Sequence, residues 1–283
     1  MSEFNRRTFL KSVGGTGVAL TVAGCTGGDG DGSTTAGTTA SGDGTTTDTT
    51  TANEVTTITP GTASGFPPFE FVNDSGDLVG FDVDLLSAVV EQTDNYELGS
   101  WEDLEFNQLI VALDNGNIDV AAAAMTINDE RDQTIDFSNP YYDANQAVLV
   151  REGGSFRPGS KDDLADRPIG AQSGTTGQDQ MDSLVENGTI SSSQANTYGN
   201  YVLAVQDLAN GNIDAVIVDT PVAETFVANR NVVISFTIET GEQYGFGVRE
   251  NASDLQSALN EGLQAVRDNG TYADLTEEWF ASE

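Results

Sequence analysis

From residue 55 onward, short β-branched or apolar runs alternate with stretches whose apolar residues recur every three to four positions, the pattern of an α/β sheet. Residues 55–59 and 69–72 predict strands, the second running into the turn Asn73-Asp-Ser-Gly76. Residues 82–92 predict a helix with Val83, Leu86, Val89 and Val90 on one face. Residues 106–114 predict a second helix, stopped near Gly116, and 118–124 the strand after it. A further set follows, with a strand over 168–171 and helices over 178–185 and 201–209. The run Leu113-Asp-Asn-Gly-Asn-Ile-Asp119 recurs as Leu208-Ala-Asn-Gly-Asn-Ile-Asp214, each time where a helix breaks at glycine and an apolar strand begins. The period is too long for a solenoid, so two lobes of related build are expected. Ligands collect beyond the carboxyl ends of strands in open α/β sheets, which directs attention to Ala124–Thr126 in one lobe and Asp219 in the other.

Before residue 54 the pattern is different. Residues 26–53 carry no aromatic or large aliphatic side chain, so they bury too little apolar surface to offset ordering and are expected to form a flexible tether. A tether of that length reaches about 30 Å r.m.s.. Within it, Gly28-Asp-Gly-Asp-Gly32 is only a faint, single-copy likeness of a calcium loop. Ahead of it, Asn5-Arg6-Arg7-Thr8-Phe9-Leu10-Lys11 precedes a mildly apolar stretch over 13–23, too short and weak for a stable membrane span. The paired arginines resemble a twin-arginine export signal. Val22-Ala-Gly-Cys25 resembles a lipobox, with Cys25 as the lipidated residue; the alternative is an ordinary buried cysteine near the terminus. Cys25 is the only cysteine, which excludes an intrachain disulfide. The expectation is a signal over 1–25, a linker over 26–53, and a mature protein held by lipid on the extracellular face of the membrane.

Charge changes the picture further. The chain has 45 acidic and 11 basic residues, a net charge of −34, and only two lysines, Lys11 and Lys161. Such a surface disfavours nucleic acid and anionic headgroups as partners through basic patches. The acids are spread through the chain, which favours a solvated coat suited to high salt over a partner-binding patch. At molar salt the Debye length is about 3 Å, so such a coat is well screened. Against this field, Arg131 is the only basic residue between Thr26 and Val150. A guanidinium holds a carboxylate bidentately, with about 1.5–3 kcal/mol for each charge-assisted bond. The alternative is a surface pair with Glu130 or another nearby acid.

Phe66-Pro-Pro-Phe-Glu-Phe71, Gly80-Phe-Asp-Val-Asp-Leu85, the Asn-Gly-Asn-Ile-Asp run, Met125-Thr126 to Arg131 and Phe137-Ser-Asn-Pro-Tyr141 resemble the family 3 solute-binding proteins, receptors of ABC importers for polar amino acids. Residues 170–176, Asp219-Thr-Pro221 and Asp268-Asn-Gly-Thr-Tyr272 continue the likeness, which spans about residues 54–280. The resemblance implies a two-lobed periplasmic-binding-protein-like (type II) α/β fold with two hinge strands, near 144–147 and 243–247, and a ligand cleft between lobes. Lobe 1 would comprise 54–145 plus 246–283, and lobe 2 would comprise 146–245.

It also implies roles. Arg131 would clamp the ligand α-carboxylate, helped by Thr126 and the backbone at Ala124. Asp219 would take the α-ammonium, with Thr175 and Thr176 adding hydrogen bonds, and Phe66 and Phe106 would form aromatic walls. Plain core packing is the alternative for the two phenylalanines, and an N-cap before Pro221 is the alternative for Asp219. Asn128 reads as a cap for the turn that holds Arg131. Ala63 stands where relatives that bind lysine, arginine or glutamine place an aspartate, and Gln172 faces the side chain from the second lobe. Ala63 argues against a strongly basic ligand, and Gln172, which can both donate and accept, favours a neutral polar or an acidic amino acid.

No cofactor or metal is expected, and the partners implied are an amino acid and an ABC permease, with the protein a monomer. The alternatives are a sensory binding protein and a cyclohexadienyl-dehydratase-like enzyme, since fold does not dictate function. The chain has no histidine, and Gln172-Ser-Gly174 is not a nucleophile elbow.

Overall fold

A computed structural model describes residues 55–281; the expected export signal with Arg6, Arg7 and Cys25, and the linker over 26–53, lie outside the described residues. The chain begins with β1 (Thr56–Ile58), β2 (Pro60–Thr62), the hairpin β3 (Phe71–Val72) and β4 (Leu78–Val79), then α1 (Phe81–Val90). Next come β5 (Tyr96–Leu98), β6 (Glu102–Asp103), a 3-10 turn Phe106–Gln108 leading into α2 (Leu109–Asp114), β7 (Val120–Ala121) and β8 (Ile135–Phe137). It then crosses to a second lobe made of β9 (Tyr142–Arg151), β10 (Ile169–Gln172), α3 (Thr176–Glu186), β11 (Ala195–Tyr198), α4 (Tyr201–Asn210), β12 (Ala215–Asp219), α5 (Thr220–Asn229) and β13 (Val232–Tyr244). It returns to the first lobe with β14 (Gly247–Arg249), α6 (Ser253–Asp268) and α7 (Thr271–Phe280).

Each lobe is built on a five-stranded mixed sheet, ordered β6-β2-β7-β14-β8 in the first and β11-β10-β12-β9-β13 in the second. The expected strand over 118–124 is shorter, because Ala124 turns left-handed at φ 45° and takes the chain out of the sheet. The helix expected from 178 starts two residues earlier, because the Thr175 hydroxyl caps it by accepting from Gln178 N at 3.2 Å. On α1, Leu85 joins the buried face and Val83 is only half-buried, because the helix begins at Phe81, itself fully buried.

The chain passes from β8 to β9 through 138–141 and from β13 to β14 through 245–246. The residues expected at the first crossing, 144–147, lie within β9, where Ala147 is opposite Val218 and Gln146 opposite Asp219 while Ala144 is opposite Glu242. The two crossing segments are tied to each other: Ser138 N donates to Phe246 O, Phe246 N to Ser138 Oγ (both 2.9 Å), and Tyr141 N to Tyr244 O (2.8 Å). Aromatic rings fill the space around them. Tyr141 lies 4.7 Å from Phe246, Phe69 lies 5.0 Å from Tyr142, and Phe280 of α7 stacks on Tyr142 at 4.8 Å.

Candidate functional site

The strand ends that point into the cleft are those of β2 and β7 in one lobe and β10 and β12 in the other. Between them lies a narrow pocket lined by Phe66, Glu70, Phe106, Ala123, Ala124, Thr126, Arg131, Gln172, Thr175, Thr176 and Asp219. All nine expected contact residues stand on this one wall; Glu70 and Ala123 are additions.

Arg131 sits in a 3-10 turn after β7, and Asn128 caps that turn by accepting from Arg131 N at 2.9 Å. Its side chain is buried, at 6% exposure, which excludes the surface-pair alternative. Nη1 donates to Thr126 O at 2.7 Å, and Nη2 reaches across the cleft to Gly174 O at 2.9 Å. The guanidinium also lies 5.1 Å from the Phe106 ring centroid, a cation–π contact. Burial lowers its pKa, opposed by Asp179, Asp219, Glu242 and Glu130. A buried guanidinium satisfied by carbonyls rather than by a carboxylate is electrostatically suited to an incoming anion. Ala124, beside it, is held in its left-handed conformation by Asp82, whose Oδ2 accepts from Ala124 N at 2.7 Å and from Tyr141 Oη at 2.5 Å. Burial raises the Asp82 pKa to about 7.

Asp219 ends β12 at the N-cap position of α5 but makes no side-chain cap bond. Its Oδ1 accepts instead from Gln146 Nε2 at 3.0 Å and Tyr244 Oη at 2.7 Å. Burial, and then the charge of Glu242, raise its pKa to about 7. Thr175 has committed its hydroxyl within its own lobe, donating to Gln172 O at 2.8 Å and lying 3.0 Å from Tyr201 Oη. Thr176 Oγ1 donates to Glu242 at 2.9 Å. Phe66 and Phe106 line the pocket and also pack in apolar clusters, Phe106 within lobe one and Phe66 in a cluster that reaches Tyr201 of lobe two, 5.6 Å away.

Two carboxyls went unnoticed in the sequence. Glu70 is fully buried, and its pKa is raised well above the usual range, first by burial and then by Asp82, Asp219 and Asp103. Its signal was a charge set between Phe69 and Phe71. Glu242 has none, being one of two acids in β13. Ala63 does not line the pocket: it packs with Phe106, Leu109 and Ala121, and the carboxyl that lobe one brings to the lining is that of Glu70.

The model of the bacterial extracellular solute-binding proteins, family 3, matches residues 58–282. The chain belongs to that family. A probable histidine-binding protein of Neisseria gonorrhoeae is 32% identical over 77% of this chain and 81% of its own length. A putative ABC transporter arginine-binding protein of Escherichia coli is 32% identical over 79% of this chain and 90% of its own. The solved structure of an ancestral arginine-binding protein bound to arginine superposes with a TM-score of 0.74, at 35% identity, covering 80% of this chain and 98% of that one. The two-lobed architecture of this solute-binding protein is therefore that of amino-acid-binding proteins. Among its described residues no helix is long and apolar enough to cross a membrane, and no group of three or more His, Cys, Asp or Glu is placed to hold a metal.

Proposed function

We propose that this solute-binding protein captures a polar amino acid outside the cell by closing its lobes, and passes it to an ABC permease. The observation that carries this reading is the placing of Arg131 and Asp219, from different lobes, on one pocket. An α-carboxylate at Arg131 and an α-ammonium at Asp219 bridge the lobes, so the ligand favours the closed form over the open one. Residues 1–53 fit the same reading: Arg6-Arg7 for export, Cys25 for a lipid anchor and a tether for clearance. The acidic surface fits work at high salt.

The side-chain end of the pocket favours a donor. Glu70 Oε2 and Gln172 Oε1 are both buried acceptors without a hydrogen-bond partner, on residues that line the pocket. Unpaired buried acceptors cost about 1–3 kcal/mol each, and a ligand that donates to them recovers this. Ala63 and Gln172 by themselves favour a side chain that is not basic; Glu70 shifts the preference to a cationic one, with an amide next. The relatives' names, for histidine and arginine, point the same way.

Thermal-shift measurements with the twenty amino acids at high salt test this. A cationic or amide amino acid in large excess is expected to stabilise the fold by about 3–4 kcal/mol. A panel in which no amino acid raises the melting temperature would remove the reading, and one in which only acidic or aliphatic ligands do would remove the role of Glu70.

A further inference from the structure

Glu242 belongs to neither lobe's share of the pocket wall, yet it touches both. It lies on β13 at the step where pairing with β9 shifts register between Ile238 and Glu242, and it is 9% exposed. Its Oε2 accepts from Thr126 Oγ1 of lobe one at 3.0 Å, from Thr176 Oγ1 of lobe two at 2.9 Å, and from Gln146 Nε2 of β9 at 3.1 Å. Both threonines line the pocket.

We infer that Glu242 is a positioning residue that latches the closed cleft, tying one pocket-lining threonine of each lobe to β13, the strand that runs into the second crossing. Hydrogen bonds to an ionised acceptor are about twice as strong as neutral ones, so one carboxylate holding three donors is a concentrated restraint. Separating the lobes requires breaking at least one of the two threonine bonds. It also requires parting the other cross-cleft contacts, Arg131 to Gly174 O and Asn107 Nδ2 to Ser173 Oγ at 3.1 Å. Gly174 is itself a device of closure: at φ 77° it brings its backbone against Asn107, and a Cβ there would lie 2.9 Å from the Asn107 Cβ.

The latch also reaches the ammonium site. Gln146 Nε2 donates to both Glu242 and Asp219, so the two carboxyls share one amide. The charged and titratable groups around the pair are Tyr244 from β13, Tyr201 from α4, Asp179 from α3, and Arg131 and Glu70 from lobe one. Among these Arg131 is the sole cation, so Glu242 and Asp219 repel each other across Gln146, and this repulsion is part of what raises Asp219.

The inference rests on lobe closure as the binding movement, but its test needs no ligand. Full-length protein with Cys25→Ser, spin-labelled at Val72→Cys on lobe one and Val227→Cys on lobe two, both exposed (51% and 37%), reports the interlobe distance by pulsed electron resonance. The parent is expected to show a short-distance population that Glu242→Ala shifts to longer, broader distances. Glu242→Gln, which keeps an acceptor, should fall between. Thr176→Val should open the cleft as well, and combining it with Glu242→Ala should add less than the sum, since both remove one bond. Identical distributions for parent and Glu242→Ala, in protein shown folded by its melting curve, would overturn the latch, as would full additivity. Should Glu242→Ala not fold, Thr176→Val against Glu242→Gln decides the same question. Failure of the parent to bind any amino acid would strike the proposed function and leave the distances to judge the latch.

Discussion

In both sheets the successive neighbours run parallel, parallel, antiparallel, antiparallel, so that β7 of lobe one and β12 of lobe two occupy the same place. The entrance to these strands is also the same. Asp119 N donates to Thr59 O and Asp214 N to Pro168 O, both at 2.8 Å. Each aspartate then meets an arginine, Asp119 with Arg249 at 3.2 Å and Asp214 with Arg167 at 3.3 Å. The exits differ. After β7 the chain makes a left-handed turn at Ala124 and a 3-10 turn that buries Arg131; after β12 a helix starts at Thr220 and leaves Asp219 at the strand end. One framework thus presents a cation from one lobe and a carboxyl from the other, the arrangement that a dipolar ligand bridges.

The largest effects should come from those two exits. Arg131→Ala is expected to weaken amino-acid binding by about 10²–10⁴-fold, as removing one member of a buried charge pair costs about 3–5 kcal/mol. Asp219→Asn keeps an acceptor and should cost about 10–100-fold. Titration calorimetry of the two variants ranks the lobes. Micromolar affinity retained in Arg131→Ala would discard the carboxylate clamp, and a larger loss in Asp219→Asn would make lobe two the main anchor.

Proton concentration should separate the lobes more gently. Arg131 stays cationic across the useful range, whereas Asp219, at about 7, must be ionised to hold an ammonium. Affinity should therefore fall as pH drops through about 7, approaching tenfold per unit. Stability of the free protein should carry the opposite sign. Asp219 and Asp82 are raised to about 7 from an unfolded value near 4, so the folded state holds more protons between those limits. Their contribution is full below about 4 and is lost as pH rises through about 7. Calorimetry and melting curves from pH 5 to 8 check both trends, and a flat affinity profile would remove Asp219 from the ammonium site.

The smallest effect tests the shared entrance. Gly116 and Gly211 both adopt left-handed φ, at 69° and 84°, so alanine at either should cost about 1–2 kcal/mol. Gly211→Ala should cost slightly more, because its Cβ would lie 2.1 Å from Arg151 Nη1 and push that side chain off Asp214, whereas at Gly116 the nearest atom is Arg249 Cζ at 3.5 Å. Equal melting temperatures for the two variants would show that the arginine yields without loss.

Much of this was legible in the chain. Strand and helix periods and the repeated Asn-Gly-Asn-Ile-Asp turn are local, because each depends on neighbours within a few residues. Arg131 stood out because charge isolation is visible in one dimension. The crossings are harder to place: residues 144–147 look like a strand in any setting, and only the sheet shows that Gln146 and Ala147 pair with β12 while Ala144 pairs with β13 alone. Glu70 and Glu242 were harder still. As letters they are two acids among 45, and what distinguishes them is burial against partners far along the chain, Asp82 and Asp219 for one, Thr126 and Thr176 for the other. The elements, their repetition and the two charged groups that line the pocket, Arg131 and Asp219, follow from the order of residues alone. Tertiary structure decided which other carboxyls join them, because desolvation and hydrogen bonding to distant residues exist only once the lobes have folded and met.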